Sequence, residues 1–326
     1  MSDGPTDTDP SEVAALATAL RQGLEGVLYG QEALVLGLVT AVLAGGHVLL
    51  QGPPGVGKTL AARALAALLG GGFARVQCVP DLLPADITGS AVYVHATASF
   101  EIRRGPLFAD VVLVDELNRA SPRTQSALLE AMAEGQVTID GQSLPLPRPH
   151  LVVATQNPWD TEGTYPLPLS ERDRFLFELP VGYPPAEREK ALLLASAGPV
   201  GLQALPALRP VCAEGRPAWL RVQDAVATAV RAGPELVDYA YRLVAVTRGH
   251  PELEVGISPR GALLLLQAAR AGAALAGRPY VTPEDVQAVW LPVCRHRVRP
   301  VPELLLDGFD PDALLGRIAL EVEVPR

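Results

Sequence analysis

Over roughly its first half, the chain alternates short apolar runs with stretches of helical periodicity. One run, 111–114, is apolar throughout, as expected for a parallel strand that is buried on both faces. Ser121-Pro122 and Gly135 are typical signals for the start and the end of a helix. The predicted strands are 47–51, 73–78, 111–114, 151–155 and 175–179, and the predicted helices are 13–25, one that follows the turn 29–31, 58–69 and 122–134. This alternation predicts an α/β fold with a doubly wound parallel sheet.

The pattern changes after 181–185, a segment rich in proline and glycine. Beyond it nearly every apolar run has helical spacing, and Thr282-Pro283 with two acidic residues behind it is a strong helix start. The predicted helices are 186–197, 222–232, 235–248, 258–276 and 282–290, with an irregular connection over 200–217. We therefore predict a disordered tail at 1–11, an α/β domain at 12–183 and a smaller α-helical domain at 184–326.

Composition and charge exclude several classes of protein. With 48% hydrophobic residues among 326, the chain is not mostly disordered, and its three cysteines lie too far apart for a disulfide scaffold or a zinc site. The formal net charge of −9 disfavours a general nucleic-acid binder. Residues 33–50 are strongly apolar, but Gly45-Gly46 divide them into a helix and a strand instead of one membrane span. The polar N-terminus lacks a secretory signal pattern, so we expect a cytoplasmic protein.

A glycine-rich loop carries the clearest chemistry. Residues 52–59 match G-x-x-x-x-G-K-[ST] in full and lie between a predicted strand and a predicted helix, which is the context that this phosphate-binding motif requires. Backbone N–H groups and the helix N-terminus attract phosphate oxygens. We expect Lys58 to reach the β- and γ-phosphates and Thr59 to place its hydroxyl on Mg²⁺. The predicted nucleotide-binding residues of this loop are Gly52, Pro53, Pro54, Gly55, Val56, Gly57, Lys58 and Thr59.

Lys58 is one of only two lysines among 27 basic residues, and the other 25 are arginine. A coding bias is the simplest reason for that ratio. Because an ammonium and a guanidinium are not interchangeable at an enclosed phosphate, the lysine at position 58 indicates a chemical requirement. Most other basic residues are predicted to be solvated. These include Lys190 and a helix end formed by Arg295, His296, Arg297 and Arg299, which we do not interpret as a metal or phosphate site.

Two further motifs are expected at the same end of the sheet. Asp115 and Glu116 follow the apolar strand 111–114, and we predict that Asp115 holds Mg²⁺ while Glu116 is the general base toward the attacking water. Asn157 follows the next predicted strand, where a polar side chain can contact the γ-phosphate. A simple turn asparagine is the alternative for this residue. Adjacent Asp and Glu favour hydrolysis over phosphoryl transfer to a small molecule.

The three motifs and the helical segment behind them resemble those of AAA+ ATPases, and the intervening stretches resemble the MoxR family more closely. The segments that carry the resemblance are 46–50, 80–89, 115–120, 124–132, 154–158, 162–168, 173–175, 182–184, 247–248, 258–260 and 280–285. The resemblance implies a P-loop NTPase (AAA+) sheet domain followed by a helical lid. It also implies ATP and Mg²⁺ as cofactors and a homo-oligomeric ring, expected to be a hexamer, with the nucleotide between subunits.

The resemblance further implies roles for residues outside the phosphate loop. Arg174 matches the arginine finger, which reaches the γ-phosphate of a neighbouring subunit. Arg260, at the start of a predicted lid helix, matches a second sensor, and a solvated helix start is the alternative for it. Gly30 and Gln31 match a segment that packs near adenine.

One departure from the family pattern bears on the finger. The family usually has Glu-Ala-Gln-Leu before the Asp-Arg-Phe that contains the finger, whereas this chain has Leu-Ser-Glu-Arg at 169–172. Arg172 is therefore a second candidate, although side chains two apart on a helix do not share a face. A salt bridge from Arg174 to Asp173 or Glu171 is a further alternative.

Two inserts are implied as well. Residues 89–106 are expected to form a loop that interrupts the second helix of the core, and its aromatic residues Tyr93 and Phe100 could grip a substrate or anchor the loop. Residues 136–147 alternate in polarity around Asp140-Gly141, which predicts a hairpin.

The resemblance favours a chaperone-like ATPase that remodels or matures a protein partner. Family members commonly act with proteins that carry a von Willebrand A domain, often in metal or cofactor insertion. A nucleic-acid-remodelling motor is the alternative, but the predicted hairpin 136–147 has no lysine or arginine and its turn carries an acid. A P-loop kinase for small molecules is a third candidate, and the helical lid with its Ser-Pro-Arg at 258–260 disfavours it.

Overall fold

A five-stranded parallel sheet lies at the centre of the first half of the chain. The computed structural model describes residues 10–159, 163–190, 208–306 and 308–325. Residues 1–9 of the predicted tail, residues 191–197 of the predicted helix 186–197 and residues 200–207 of the predicted connection 200–217 lie outside the described residues. Across the described part of the chain, no helix has the length and apolar content that crossing a bilayer requires.

The strands of this sheet follow one another out of sequence order. In chain order the strands are β1 (Val48–Gln51), β2 (Phe73–Gln77), β3 (Gly89–Val94), β4 (Ser99–Arg104), β5 (Val111–Asp115), β6 (Gln136–Ile139), β7 (Gln142–Pro145), β8 (Leu151–Gln156), β9 (Phe177–Pro180), β10 (Leu253–Val255) and β11 (Arg299–Pro300). The central sheet has the order β2-β5-β8-β1-β9, and all of its neighbouring strands are parallel. Because parallel neighbours in a sheet need crossover connections, helices pass over both faces.

Helices surround the sheet and are the main secondary structure in the second half of the described chain. They are α1 (Pro10–Glu25), α2 (Glu32–Ala44), α3 (Lys58–Leu69), α4 (Pro84–Thr88), α5 (Pro122–Glu134), α6 (Leu169–Arg172), α7 (Arg216–Ala229), α8 (Pro234–Arg248), α9 (Pro259–Leu275), α10 (Pro283–Cys294), α11 (Pro302–Leu306) and α12 (Pro311–Glu321). Residues 186–190 are helical as well. The predicted fold class is confirmed: a P-loop-type parallel sheet is followed by a helical lid.

Both faces of the sheet are buried, as the apolar run 111–114 predicts. Along β5, Val111 and Leu113 point into one apolar cluster, whereas Val112 and Val114 point into the other. All four side chains are fully buried. This period of two is the pleat of a strand, and the side chains on its two faces fill two different cores.

The larger of the two apolar clusters continues into the lid. It contains Leu38 of α2 and Leu65 of α3 together with Trp219 of α7 and Leu265 of α9. A polar contact crosses at the same place, since Nε2 of Gln223 donates to the carbonyl oxygen of Val42 at 2.7 Å. One continuous hydrophobic core therefore joins the two predicted domains.

The insert 89–106 is a β-hairpin, so the prediction of a loop is wrong. Strands β3 and β4 pair antiparallel from Gly89↔Arg104 to Val94↔Ser99. Tyr93 and Phe100 are cross-strand partners whose ring centroids lie 5.3 Å apart, and both side chains are exposed. Such a pair stabilises the outer end of the hairpin. The second hairpin, β6 and β7, is confirmed, with its turn at Asp140-Gly141.

Three predictions in the second half need correction. The helix predicted from residue 222 begins at Arg216, because Pro217 opens the first turn of α7 instead of belonging to an irregular connection. The last sheet strand begins at Phe177 and not at residue 175. His296 and Arg297 are buried, and Arg295 pairs with Asp312 at 2.9 Å, so these residues do not form a solvated helix end.

Candidate active site

The glycine-rich loop 52–59 joins the carboxyl end of β1 to the N-terminus of α3. Gly57 is the N-cap of α3 and has a φ of +93°, a left-handed conformation that favours glycine. A Cβ on Gly52 would lie 2.0 Å from the carbonyl oxygen of Val181, so that position has no room for a side chain. The loop therefore packs closely against the segment that follows β9. Its N–H groups lie near the N-terminus of α3, where anions bind.

Lys58 lies at the first position of α3 and folds back onto the loop. Its Nζ donates to the carbonyl oxygen of Gly52 at 2.7 Å. Burial lowers the pKa of the Lys58 ammonium, and the nearby carboxylates of Asp115 and Glu116 oppose that shift. The lysine and the acid pair, 57 positions apart in the sequence, therefore lie within electrostatic range of each other, as the predicted site requires.

Asp115 and Glu116 lie where β5 ends, at the same end of the sheet as the loop. Thr155 of β8 joins them, because its hydroxyl donates to Oδ1 of Asp115 at 3.2 Å and accepts the N–H of Glu116 at 2.9 Å. Glu116 has a φ of +56°, an uncommon conformation for a residue other than glycine. Thr155 thus fixes the backbone at the point where the chain turns sharply away from the strand.

Side chains on β2 contact both carboxylates. Nε of Arg75 donates to Oδ2 of Asp115 at 2.8 Å, and Nε2 of Gln77 donates to Oε2 of Glu116 at 3.1 Å. Arg119 also reaches Glu116, with Nη1 3.3 Å from the same oxygen. These contacts were missed by sequence reasoning. The spacing of Arg75 and Gln77, two apart on a strand beside β5, is the signal that could have indicated them.

Asn157 follows the end of β8 and accepts the N–H of Trp159 on its Oδ1 at 3.2 Å. This is an Asx turn, the local geometry of the alternative interpretation. The position is nevertheless at the end of the strand between β5 and β1, beside the loop and the acid pair. The role of Asn157 toward the γ-phosphate stays a prediction.

Gly30 and Gln31 pack beside the segment that follows β9. Nε2 of Gln31 donates to the carbonyl oxygen of Gly182 at 2.9 Å, and the Cα of Gly30 faces Pro185 and Arg188. Since Val181 touches Gly52, this turn and the phosphate loop lie on neighbouring parts of one surface. That arrangement suits a nucleotide whose phosphates and base are bound a short distance apart.

Arg174 and Arg172 have different environments. Nη2 of Arg172 pairs with Oε2 of Glu178 at 2.6 Å, so this arginine is bound within the chain. Nη1 of Arg174 donates to the carbonyl oxygen of Leu129 at 3.1 Å, and among the described residues it contacts no carboxylate. The predicted alternative of a salt bridge from Arg174 to a neighbouring acid is therefore not observed in this part of the chain.

Arg174 and Arg260 both lie at the amino end of the sheet, opposite the phosphate loop. Arg174 precedes β9, whose N-terminal residues pair with the start of β1. Ser258, two residues before Arg260, donates to Oδ2 of Asp173 at 2.9 Å. Arg260 is also close enough to His47, which precedes β1, to act on it electrostatically. The roles of Arg174 and Arg260 toward a nucleotide stay predictions.

The oxygen ligands near the loop fit a divalent cation that is bound mainly by the nucleotide. Mg²⁺ prefers one or two protein oxygens together with phosphates and water, and Thr59 and Asp115 offer a hydroxyl and a carboxylate. Among the described residues, no group of three or more His, Cys, Asp or Glu side chains could hold a metal ion by itself. The donor set therefore suits a metal ion that arrives with phosphate.

Comparisons with known proteins agree with this geometry. Residues 47–177 match the family described as "ATPase family associated with various cellular activities (AAA)", and residues 245–315 match an "AAA lid domain". YeaC of Bacillus subtilis is 44% identical over 92% of both chains, and Chaperone MoxR1 of Mycobacterium tuberculosis is 39% identical over 97% of this chain and 84% of its own. A crystal structure of a protein from Cytophaga hutchinsonii has a TM-score of 0.89 and 31% identity, and the alignment covers 97% of both chains.

Proposed function

Because the chain belongs to the MoxR family of AAA+ ATPases and therefore hydrolyses ATP, we propose that it is a chaperone-like factor that remodels or matures a protein partner. The observation that carries the proposal is its similarity, over nearly the whole chain, to a relative named as a chaperone. The match extends through the lid and is not confined to the phosphate loop. A shared P-loop alone would support no more than nucleotide binding.

In this proposal the phosphate loop and the acid pair divide the chemistry. Lys58 leaves the carbonyl of Gly52 to bind the β- and γ-phosphates, and the loop N–H groups bind the remaining phosphate oxygens. Mg²⁺, held by Thr59 and Asp115, supplies charge neutralisation at the phosphates. The carboxylate of Glu116 first loses its hydrogen bonds from Gln77 and Arg119 and then accepts the proton of the attacking water. Asn157 orients the γ-phosphate or the water.

The proposal includes a homo-oligomeric ring, hexameric as the resemblance implies, whose nucleotides lie between subunits. Arg174 carries a charge without a carboxylate partner among the described residues, at the end of the sheet opposite its own loop. It can therefore stabilise the γ-phosphate of a neighbour, and Arg260 lies in the helix turn whose N-cap, Ser258, binds Asp173. Residues 12–183 are the proposed ATPase core and 184–326 the proposed lid.

We further propose that the partner is a protein with a von Willebrand A domain, located with this chain in the cytoplasm, and that its maturation involves metal or cofactor insertion. Charge favours a protein over a nucleic acid, since neither strand of the hairpin β6–β7 contains lysine or arginine. Non-specific DNA affinity arises from cations that neutralise phosphates. The net charge of −9 agrees with this choice.

Stimulation of ATP turnover separates a protein client from a nucleic acid. The probes are a purified protein that carries a von Willebrand A domain and a double-stranded DNA, each added to the wild type and to Lys58→Ala. We expect the protein to raise the turnover of the wild type only, because Lys58→Ala lacks the phosphate contact. Turnover that DNA stimulates and that falls steeply with salt would overturn the proposal.

A further inference from the structure

One side chain, Arg297, makes most of the hydrogen bonds between the lid and the segment 173–176, which contains Arg174. Nε of Arg297 donates to Oδ1 of Asp173 at 2.8 Å, and Nη2 donates to the carbonyl oxygen of the same residue at 3.1 Å. The guanidinium also donates to the carbonyl oxygens of Phe175 and, at 3.3 Å, Leu176. One arginine therefore holds the backbone on both sides of Arg174.

The lid binds the other carboxylate oxygen of Asp173 as well. The hydroxyl of Ser258 donates to Oδ2 of Asp173 at 2.9 Å and accepts the N–H of Gly261 at 3.0 Å, which makes it the N-cap of α9. Arg260 lies in the first turn of that helix. We call Asp173, Ser258 and Arg297 the Asp173 latch. The latch joins the segment that carries Arg174 to the helix start that carries Arg260.

The latch is a buried ion pair whose donors are satisfied. The side chain of Arg297 is 1% exposed, and each of its three nitrogens has an acceptor. Burial lowers the pKa of the Arg297 guanidinium, and Cys294 and the carboxylate of Asp173 oppose that shift. A buried ion pair adds little net stability compared with apolar residues of similar size, and its best attested use is to select one arrangement. Here the selected arrangement is that of the Arg174 segment against the lid.

We propose that Arg297 is a positioning residue for ATP hydrolysis at the neighbouring subunit, where it acts by fixing the segment that presents Arg174. The inference rests on the proposed role of Arg174 in trans. A finger must meet the developing charge on the γ-phosphate within a fraction of an ångström, and a misplacement of about 1 Å can cost about 100-fold in rate. A change in the latch of one subunit would then change hydrolysis in the next subunit.

The geometry separates this effect from any effect on the chain's own nucleotide. None of the latch hydrogen bonds reaches the loop 52–59, and Asp173 lies at the opposite end of the sheet from Gln51. Loss of Arg297 should therefore leave ATP binding to its own loop unchanged. A general structural defect would instead reduce binding and turnover together.

The first measurement is the kinetics of Arg297→Gln in the assembled ATPase. We expect kcat to fall by about 10- to 100-fold, while the ATP affinity measured with a fluorescent nucleotide changes by about two-fold or less. Arg278→Gln is the matched control, because it removes another lid ion pair, with Asp285 at 2.6 Å, that makes no contact with 173–176. Normal kcat in Arg297→Gln, or an equal loss in Arg278→Gln, would overturn the inference.

Mixed oligomers test whether the effect acts in trans. In a mixture of Arg297→Gln with Lys58→Ala, the first variant supplies intact loops and the second supplies intact fingers. We expect turnover above the sum of the two separate variants, whereas no recovery would overturn the inference. Arg174→Ala mixed with Lys58→Ala is run in parallel. If only the mixture with Arg174→Ala recovers, the positioning role of Arg297 is rejected and the trans role of Arg174 is kept. If Arg174→Ala is fully active by itself, the trans role of Arg174 is rejected.

A second variant keeps the test decisive if Arg297→Gln fails to fold. Asp173→Asn has the same shape and leaves Oδ1 to accept from Arg297, while its amide can donate to Ser258. We expect the same split, with a smaller fall in kcat, unchanged nucleotide affinity and recovery with Lys58→Ala. A loss of affinity equal to the loss of kcat would assign the latch a purely structural role and overturn the inference.

Discussion

Arg75 forms an ion pair with Asp115, the carboxylate that we propose as a ligand of Mg²⁺. Its Nε is 2.8 Å from Oδ2 of Asp115, and the two side chains are 51% and 10% exposed. Solvent screens a pair with one exposed member, so its contribution is on the order of 1 kcal/mol. A metal ion that binds Asp115 must weaken this contact. Because 1.4 kcal/mol corresponds to a factor of ten, removing Arg75 should tighten metal binding by about five-fold.

The assay is ATP turnover of Arg75→Ala at saturating ATP over a MgCl₂ titration. We expect half-maximal turnover at about one fifth of the Mg²⁺ concentration that the wild type needs. Arg242→Ala is the matched control, because its Nε lies 2.9 Å from Oδ2 of Asp238 on a lid helix, in the same kind of ion pair far from the site. An unchanged or increased requirement in Arg75→Ala would refute the competition and would mean that Arg75 supports the carboxylate in its binding orientation.

Three further predictions follow from the site and its supports. Glu116→Gln should lower turnover by about 10²- to 10⁴-fold, because an amide does not accept the proton of water, while a fluorescent ATP analogue still binds; near-normal turnover would remove Glu116 as the base. Gly52→Ala puts a methyl group 2.0 Å from the carbonyl oxygen of Val181, so thermal unfolding should show a loss of about 1–3 kcal/mol together with weaker ATP binding, and the absence of both would contradict this close approach. Burial lowers the pKa of His47 from 6.5 to about 3, so between these two pH values the unfolded chain binds a proton that the folded chain does not. The stability that His47 contributes is therefore present above pH 6.5 and is lost as the pH falls toward 3. His47→Asn keeps an acceptor for the N–H of Val152 and should reduce the slope of unfolding free energy against pH in that range by about 1.4 kcal/mol per unit, whereas equal slopes would argue against a neutral buried His47.

The parallel sheet could be predicted from the sequence because local signals agree with the tertiary structure there. Helix α5 has the predicted bounds, since Ser121 caps its first turn and Gly135 takes a left-handed conformation at its end. The loop 52–59 was predictable for the same reason, because the motif and its strand–helix context depend on neighbouring residues.

Features that depend on distant partners could not be predicted in this way. Arg297 looks like one more solvated arginine in a chain that is rich in them, and its burial depends on acceptors more than 100 positions earlier. Pro217 was interpreted as part of a loop because proline is common both in loops and in the first turn of a helix. The hairpin β3–β4 was missed because only Ile102 of its outer strand packs on the core, so the alternation in polarity is weak.

The core that α2 and α3 share with α7 and α9 has a mechanical consequence. A hinge at 181–185 would have to pull apart side chains such as Trp219 and Leu38, and exposing each large apolar side chain costs about 1.5–3 kcal/mol. We therefore expect each subunit to move as one rigid body, with little bending between the sheet domain and the lid. In the proposed ring, the free energy of hydrolysis would then drive rotation of whole subunits against each other, and the ring would change shape at the contacts between subunits.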